Sequence, residues 1–257
     1  MFSKAKLLPL ALILLFGACQ YTHAQTQEKT PQKRYKVGLL IVATGKYIQF
    51  VEPLVKSADI HFLPNHDVTY FVFTNKEIPK HDNIIKIHQD RLGWPYDTMM
   101  RYEMYYNAKE LLENMDYLFA CDADMLFVDT VSDEILGEQV GTIHPGFYNK
   151  KGTYETRKSS TACVKPNEAK HYFAGGFNGG SSKEFLKRSK KMSENIYKDL
   201  EENIVAVWHD ESHLNRYFID NPPTVILTPS YCYPERWKLP FHKRLLALDK
   251  NHSQMRK

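Results

Sequence analysis

Two carboxylates one residue apart, Asp122 and Asp124, interrupt the apolar run from Tyr117 to Phe127 in this chain of 257 residues. Along an extended strand the side-chain period is two, so both project to one side if strand geometry persists past Cys121. Anions that close repel unless a cation binds them. All-oxygen ligands suit Mn²⁺ or Mg²⁺, which can take further ligands from a diphosphate. Asp-x-Asp also occurs in turns and helix caps, where Asp bonds nearby backbone N–H groups, so the pair alone leaves both readings open.

A second constellation lies far along the chain. From Trp208 to Asn215 an aromatic, two imidazoles and two acids, Asp210 and Glu211, stand almost side by side. Asp210 can equally be an N-cap, and His213 a satisfied core histidine. His209 and His213 have i, i+4 spacing, but His-Asp-Glu-Ser-His is not the His-Glu-x-x-His pattern of zinc hydrolases, which argues against that chemistry. Between the two acidic stretches runs the glycine cluster Ala174 to Gly180. It stands before a predicted helix from Ser182 to about Tyr197. It signals either a close backbone approach, for example to an anion, or a tight turn needing positive φ; GxGxxG and Walker spacings are absent.

The elements that must hold these residues follow from apolar patterning. Tyr35 to Thr44 is a continuous apolar and β-branched run, as in a strand buried on both faces. Helical spacing follows from about Gln49 to Phe62, then strands at Val68–Thr74 and Ile84–Ile87. After the Gly93-Trp94-Pro95 break, residues 97–115 again carry helical spacing. Strand–helix–strand order of this kind predicts an α/β domain with a mainly parallel sheet, whose ligands bind beyond the carboxyl ends of its strands, where Asp122 and Asp124 fall. The chain then becomes less regular, from Val140 to Tyr148, and a polar loop runs to about Lys170. Loops of that length in a compact domain tend to be functional.

An apolar fraction of 43% with 25% charged residues is that of an ordinary globular protein. The net charge of +4, without a clustered basic stripe, argues against nucleic acid as a partner. Residues 1–24 read as a targeting segment: Lys4 and Lys6 precede the short apolar run Leu7 to Phe16. Gly17-Ala18-Cys19 resembles a lipoprotein cleavage site, Thr22-His23-Ala24 suits an ordinary signal peptidase, and an uncleaved signal anchor is the third option. The chain is therefore expected to be exported or attached to a membrane through this segment. Residues 25–34 form a polar tether. Of the four cysteines, Cys19 falls in the targeting segment; if it is lipidated or removed, Cys121, Cys163 and Cys232 leave an odd count, which favours buried free thiols over a disulfide framework.

Taken together, the segments resemble glycosyltransferase family 6, the family of the histo-blood-group A and B transferases, in unbroken order from about Val37 to Arg256. Trp208 to Asn215 is the most specific segment; Gly45 to Tyr47, Tyr70 to Thr74, Met99 to Met104, Gly141 to Tyr148 and Lys250 to His252 also match. The resemblance implies a GT-A type fold, with a Rossmann-like, mainly parallel sheet flanked by helices. It divides residues 35–257 into a nucleotide-binding half (35–135), an acceptor and catalytic half (136–245) and a flexible closing tail (246–257). The implied reaction moves N-acetylgalactosamine or galactose from UDP to the 3-hydroxyl of a galactose-terminated, fucosylated or unfucosylated glycan, with retention of the α configuration.

Residue roles come with the resemblance. Asp122 and Asp124 correspond to the Asp-x-Asp that holds Mn²⁺, or Mg²⁺, against the UDP diphosphate. Val42, Thr44, Tyr47 and Arg101 fall on the donor side, with Val42 where the family usually stacks an aromatic on uracil. Ala174, Gly175 and Gly176 match the donor-specificity segment and, being small, favour UDP-N-acetylgalactosamine over UDP-galactose. Asp210 matches a ligand of the donor sugar. Glu211 matches the carboxylate beneath that sugar, either a nucleophile or a charge stabilising an oxocarbenium ion. His144, Thr153 and Trp208 match acceptor-side residues, and Lys250 and Arg256 match a tail that closes over the phosphates. Three other readings stay open: a non-catalytic sugar- or nucleotide-binding protein on the same fold, a glycoside hydrolase, and an exported structural lipoprotein.

Overall fold

Apolar residues alternate between two faces of the first strands, and that alternation builds the molecule. The computed structural model describes residues 33–78 and 80–255. Strand β1 (Lys36–Val42) leads through a 3-10 turn at Gly45–Phe50 to helix α1 (Val51–His61). Then come β2 (Asp67–Thr74), β3 (Ile84–His88) and three short helices, α2 (Tyr96–Met99), α3 (Arg101–Asn107) and α4 (Lys109–Leu112). Strands β4 (Tyr117–Asp122), β5 (Met125–Phe127), β6 (Gln139–Ile143) and β7 (Phe173–Ser181) precede helices α5 (Ser182–Glu201) and α6 (His209–Asp220). The chain closes with β8 (Val225–Leu227), β9 (Tyr233–Pro234), β10 (Leu245–Ala247) and α7 (His252–Met255).

The main sheet has seven strands in the order β3-β2-β1-β4-β7-β6-β8. The β1, β2, β3 and β4 pairings are parallel, β7 runs antiparallel to both neighbours, and β8 is parallel to β6. This is the α/β architecture expected from the sequence, a Rossmann-like first half extended by a mixed second half. Leu39, Ile41, Tyr70, Val72, Phe119 and Cys121 face one apolar cluster, under α1; Leu40, Phe71, Phe73, Leu118 and Ala120 face the other, under α3 and α5. Val51, Leu54, Val55 and Ala58 recur at i, i+3, i+4 and i+7, which gives α1 its single buried stripe. Each Val or Leu of that stripe, fully buried, contributes about 1.5–3 kcal/mol.

Three expectations change in the structure. The acidic run is not one strand: β4 ends at Asp122, Ala123 and Asp124 form a turn, and Met125 starts β5 in a separate three-stranded sheet with β10 and β9. The helical stretch after Pro95 is broken at Met100 and Ala108, whose ψ values of 7° and 12° leave helical geometry. The glycine cluster is not a tight turn but most of β7, buried in mid-sheet, and the close backbone approach is to neighbouring strands.

Close packing explains those glycines. A Cβ on Gly179 would stand 2.2 Å from Phe119 Cδ1 and 2.6 Å from the Leu118 carbonyl oxygen. Gly180 has φ of +154° and its Cβ would meet the Glu138 carbonyl oxygen at 2.3 Å. Arg188 of α5 is fully buried against this strand, where Nη2 donates to Asn178 Oδ1 at 2.8 Å and Nη1 to the Gly179 carbonyl at 3.3 Å. Its guanidinium also packs on the rings of Phe185 and Phe218. Cys121 and Cys232 are buried free thiols and Cys163 is a half-buried one, as the odd count suggested.

Candidate active site

The parallel strands bring their carboxyl ends together, and register puts Val42 of β1 directly beside Asp122 of β4. A pocket of about 240 Å³ opens there. Val42, Thr44, Tyr47, Arg101, Asp122, Asp124 and Lys250, all expected on the donor side, line it together. Arg91, Trp94, Asp97, Thr98, Tyr105, His252 and Met255 line it too and were not singled out in the sequence. Trp94 belonged to a motif read only as a helix break. Thr98 and Tyr105 flank Arg101 at helical spacing, and that was the one signal that could have found them.

Arg101 organises the acids. It is buried on α3 and its Nη1 stands 2.7 Å from Asp122 Oδ1, while its Nε stands 3.1 Å from Asp210 Oδ2. Thr98 Oγ1 accepts from Arg101 Nη2 at 2.5 Å and donates to Asp210 Oδ1 at 3.3 Å. One guanidinium therefore ties the end of β4 to the first turn of α6, joining carboxylates that are 88 positions apart in sequence. Burial works to raise the Asp122 pKa, but the Arg101 charge and hydrogen bond, with Lys250, hold it below the usual carboxylate range. For Asp210 burial prevails over the Arg101 attraction, and its pKa is pushed up to about 6.

Glu211 sits beside this network on α6. Its Oε1 accepts from the Tyr172 hydroxyl and its Oε2 from the Gly175 N–H, both at 2.8 Å. Burial pushes its carboxyl up to about 7; the Gly175 and Tyr172 hydrogen bonds pull down, and the charges of Asp210 and Asp122 push further up. Two donors fix the carboxylate in orientation, so it can present one edge to an electron-poor carbon. Gly175 and Gly176 are the glycines of β7 nearest these acids: Cβ atoms there would lie 3.5 Å from Asp210 Oδ2 and 3.2 Å from Asp122 Oδ2. Ala174, by contrast, is buried within the apolar core cluster. Tyr172 carried no motif and was missed; only its place next to the glycine strand marks it.

The acceptor-side residues gather less tightly. The ring of His144 lies 4.9 Å from Phe147 and 5.7 Å from Tyr172, and so reaches Glu211 through one tyrosine. Burial pulls the His144 pKa down to about 4, leaving a neutral imidazole. Thr153 is exposed in the loop between β6 and β7, and Trp208 is 47% exposed at the start of α6. Arg256 lies outside the described residues, as does the targeting segment 1–24. His209 and His213 go separate ways. The His209 ring is 5.0 Å from that of Trp94, and His213 is buried with Nε2 3.7 Å from Asp199.

The donor set fits a hard divalent cation completed by a ligand from outside the protein. Among the described residues no group of three or more His, Cys, Asp or Glu forms a metal cage. A pair of carboxylates at a pocket is what a cation shared with phosphates requires. Arg101 occupies Asp122 Oδ1 and leaves Oδ2 toward the space beside Gly176, while Lys250 pairs with Asp124. The tail lies across the same opening, where Lys46 Nζ donates to the Gln254 carbonyl at 2.8 Å and Gln49 reaches Met255 Sδ at 3.2 Å.

Known proteins resemble this chain over most of its length. The family model described as Glycosyltransferase family 6 matches residues 12–257. Histo-blood group ABO system transferase 1 of Rattus norvegicus is 35% identical over 237 residues, covering 86% of this chain and 68% of its own. Globoside alpha-1,3-N-acetylgalactosaminyltransferase 1 of Gallus gallus is 33% identical over 237 residues, covering 86% and 69%. O-antigen biosynthesis glycosyltransferase WbnI of Escherichia coli is 27% identical over 222 residues, covering 83% of this chain and 94% of its own.

Proposed function

The chain belongs to glycosyltransferase family 6 and is a glycosyltransferase, and from that membership we propose a retaining α1,3-N-acetylgalactosaminyltransferase that uses UDP-N-acetylgalactosamine and a galactose-terminated oligosaccharide. The observation that carries the reading is Glu211. It is a buried carboxylate fixed by Tyr172 and Gly175, on the same helical turn as the Asp210–Arg101–Asp122 network at the pocket. UDP-galactose is the alternative donor. The small residues Ala174, Gly175 and Gly176, matched by resemblance to the donor-specificity segment, favour the first.

In this reading the nucleotide enters the pocket at the carboxyl ends of β1 and β4, with Val42 and Tyr47 packing on it and Thr44 held toward Asp97. Asp122 and Asp124 would hold Mn²⁺ or Mg²⁺ shared with the diphosphate. The ion supplies charge to offset that on the departing UDP. Lys250 changes partner from Asp124 to phosphate as the tail closes, and Arg256, outside the described residues, is assigned to the same phosphates. Arg101 and Thr98 keep Asp210 aimed at the sugar hydroxyls. Glu211 works ionised, either attacking the anomeric carbon or stabilising positive charge there, and His144, Thr153 and Trp208 receive the acceptor galactose. We further adopt residues 35–135 as the nucleotide half, 136–245 as the acceptor half and 246–257 as the closing tail. We read residues 1–24 as the export or membrane-attachment segment. Among the described residues no helix is long and apolar enough to cross a membrane.

A UDP-release assay with Mn²⁺ that crosses both donors with lactose and 2′-fucosyllactose tests the reading. Acceptor-dependent release, faster with UDP-N-acetylgalactosamine and giving an α-linked product, is expected. Hydrolysis of α-galactosides in plain buffer, or binding of UDP-sugar without turnover, would overturn it.

A further inference from the structure

A second pocket, of about 430 Å³, opens on the acceptor side of Glu211. The loop between β6 and β7 folds back to make it, and its lining is of two kinds. Its aromatic side is Phe147, Tyr148, Tyr154 and Tyr172, with ring centroids 4.8 Å apart for Phe147 and Tyr172 and 5.0 Å for Tyr154 and Tyr172. Its charged side is Lys150, Lys151, Lys165 and Lys170, all exposed. Among the described residues none of these four lysines is paired with a carboxylate, although a 257-residue chain with 30 acids has many to offer.

The loop's own acids already have partners. Glu168, between Asn167 and Ala169 of the rim, is held by Arg216 Nη1 at 2.9 Å. Glu155, next to Tyr154, is buried and held by Arg157 Nη2 at 2.6 Å and the Val207 N–H at 3.0 Å. Four lysines against one nearby carboxylate, Glu168, which also accepts from the Lys165 N–H at 2.8 Å, leave a net positive potential over an aromatic wall. Such a pairing suits a sugar ring that carries a negative charge.

Tyr172 connects this pocket to the chemistry. Its ring is buried behind Phe147 and Tyr154 of the pocket, and its hydroxyl donates to Glu211 at 2.8 Å. His144, an acceptor-side residue, packs against the same ring. Phe147 packs on the His144 ring at 4.9 Å and also lines the lysine pocket, so an acceptor with its galactose at His144 would have its next sugar beside that pocket.

We propose that this pocket is an acceptor subsite for an anionic glycan, binding a carboxylate or phosphate carried by the sugar next to the acceptor galactose. The inference rests on the transferase reading of the Glu211 site and adds the charge class of its acceptor. Lysines contribute as point charges, so carboxylate and phosphate are both accommodated, and the contact is screened by salt.

Three β-galactosides that share the terminal galactose test it: lactose, lactobionate, which has a carboxylate on the second residue, and lactose phosphorylated on its glucose. Two to three exposed ion pairs of ordinary strength predict an acceptor KM about fivefold to tenfold lower for one or both anionic compounds at low salt. That ratio is expected to fall toward one at 0.5 M NaCl and in the double variant Lys150→Ala, Lys165→Ala. Lys150→Glu with Lys165→Glu should invert it. The two anionic arms say whether carboxylate or phosphate is the better fit. Equal KM for all three acceptors, or a ratio indifferent to the lysine variants, overturns the subsite while leaving the transferase intact. Titration calorimetry of the same compounds in the presence of UDP reads the preference without turnover. Loss of transfer to every acceptor would therefore count against the transferase reading alone.

Discussion

At the scale of single residues, the site depends on two carboxylates that burial has moved toward neutrality, Asp210 and Glu211, and one, Asp122, that Arg101 and Lys250 hold charged. Burial raises the Glu211 pKa to about 7 in the donor-free enzyme, so its carboxyl loses its proton near neutral pH rather than near 4.5. Its proposed role needs the ionised form, so kcat/KM should rise with pH through about 7 and level off above it. Glu211→Gln keeps the shape and removes the charge. It is expected to lower kcat by about 10²–10³-fold and to abolish that acid limb; an unchanged pH profile in the variant would remove Glu211 from the chemistry. Asp122→Asn together with Asp124→Asn should lose Mn²⁺-stimulated transfer by about 10²-fold or more, because an ion at a departing phosphate supplies several kcal/mol. Full wild-type activity in EDTA would contradict the metal assignment.

At the scale of elements, β7 and the tail carry the site in different ways. Strand β7 must be glycine-rich because Phe119 and the Leu118 carbonyl occupy the space a side chain would need. Gly179→Ala meets backbone as well as a ring, and should cost about 1–3 kcal/mol, read as a lower denaturation midpoint with the active-site residues unaltered. The tail is tied down by Lys46, Gln49 and the Lys250–Asp124 pair across the mouth of the pocket. Deleting residues 250–257 removes these ties and the cations expected to meet phosphate. A donor KM raised about tenfold is expected, with acceptor KM little changed, from the strength of one charge-assisted contact. Equal rises in both would mean that the tail supports the fold rather than the donor.

At the scale of the whole molecule, proton linkage sets how stability depends on pH. His144 and His213 are held near 4 by burial, below the ordinary 6.5. The unfolded chain therefore binds protons that the native one refuses, and these groups weaken the fold as pH falls from about 6.5 to 4. Asp210 and Glu211, raised to about 6 and about 7, do the reverse: the native state binds their protons first, and stability rises as pH falls over the same window. The two effects oppose, so denaturant midpoints should change little between about pH 7 and 5. Below about 4.5 the carboxylate of Glu155, held near 2 by Arg157 hydrogen bonds, begins to lose its stabilising ionisation and the midpoint should fall. Asp210→Asn with Glu211→Gln removes one side of the balance, and its midpoint should already decline below about pH 6.5; a flat profile in that variant would refute the assignment.

Much of the protein was legible in the sequence because strand burial and helix stripes are local patterns. The runs at β1, β2 and β4 gave the parallel half of an α/β sheet, and the acids at 122, 124, 210 and 211, in family order, gave a transferase. The odd cysteines gave free thiols. What depends on contacts distant in sequence was not legible. Nothing local says that a glycine run is a mid-sheet strand, since the reason is Phe119 and Leu118 across the sheet. Nothing local marks Tyr172 as a donor to Glu211, Arg101 as the bridge from Asp122 to Asp210, or Arg188 as a buried clamp on β7. Residue types and spacing thus determined which groups are available for chemistry. Only the tertiary structure decided which are paired, buried and shifted in pKa, because burial and pairing depend on neighbours that chain folding alone brings together.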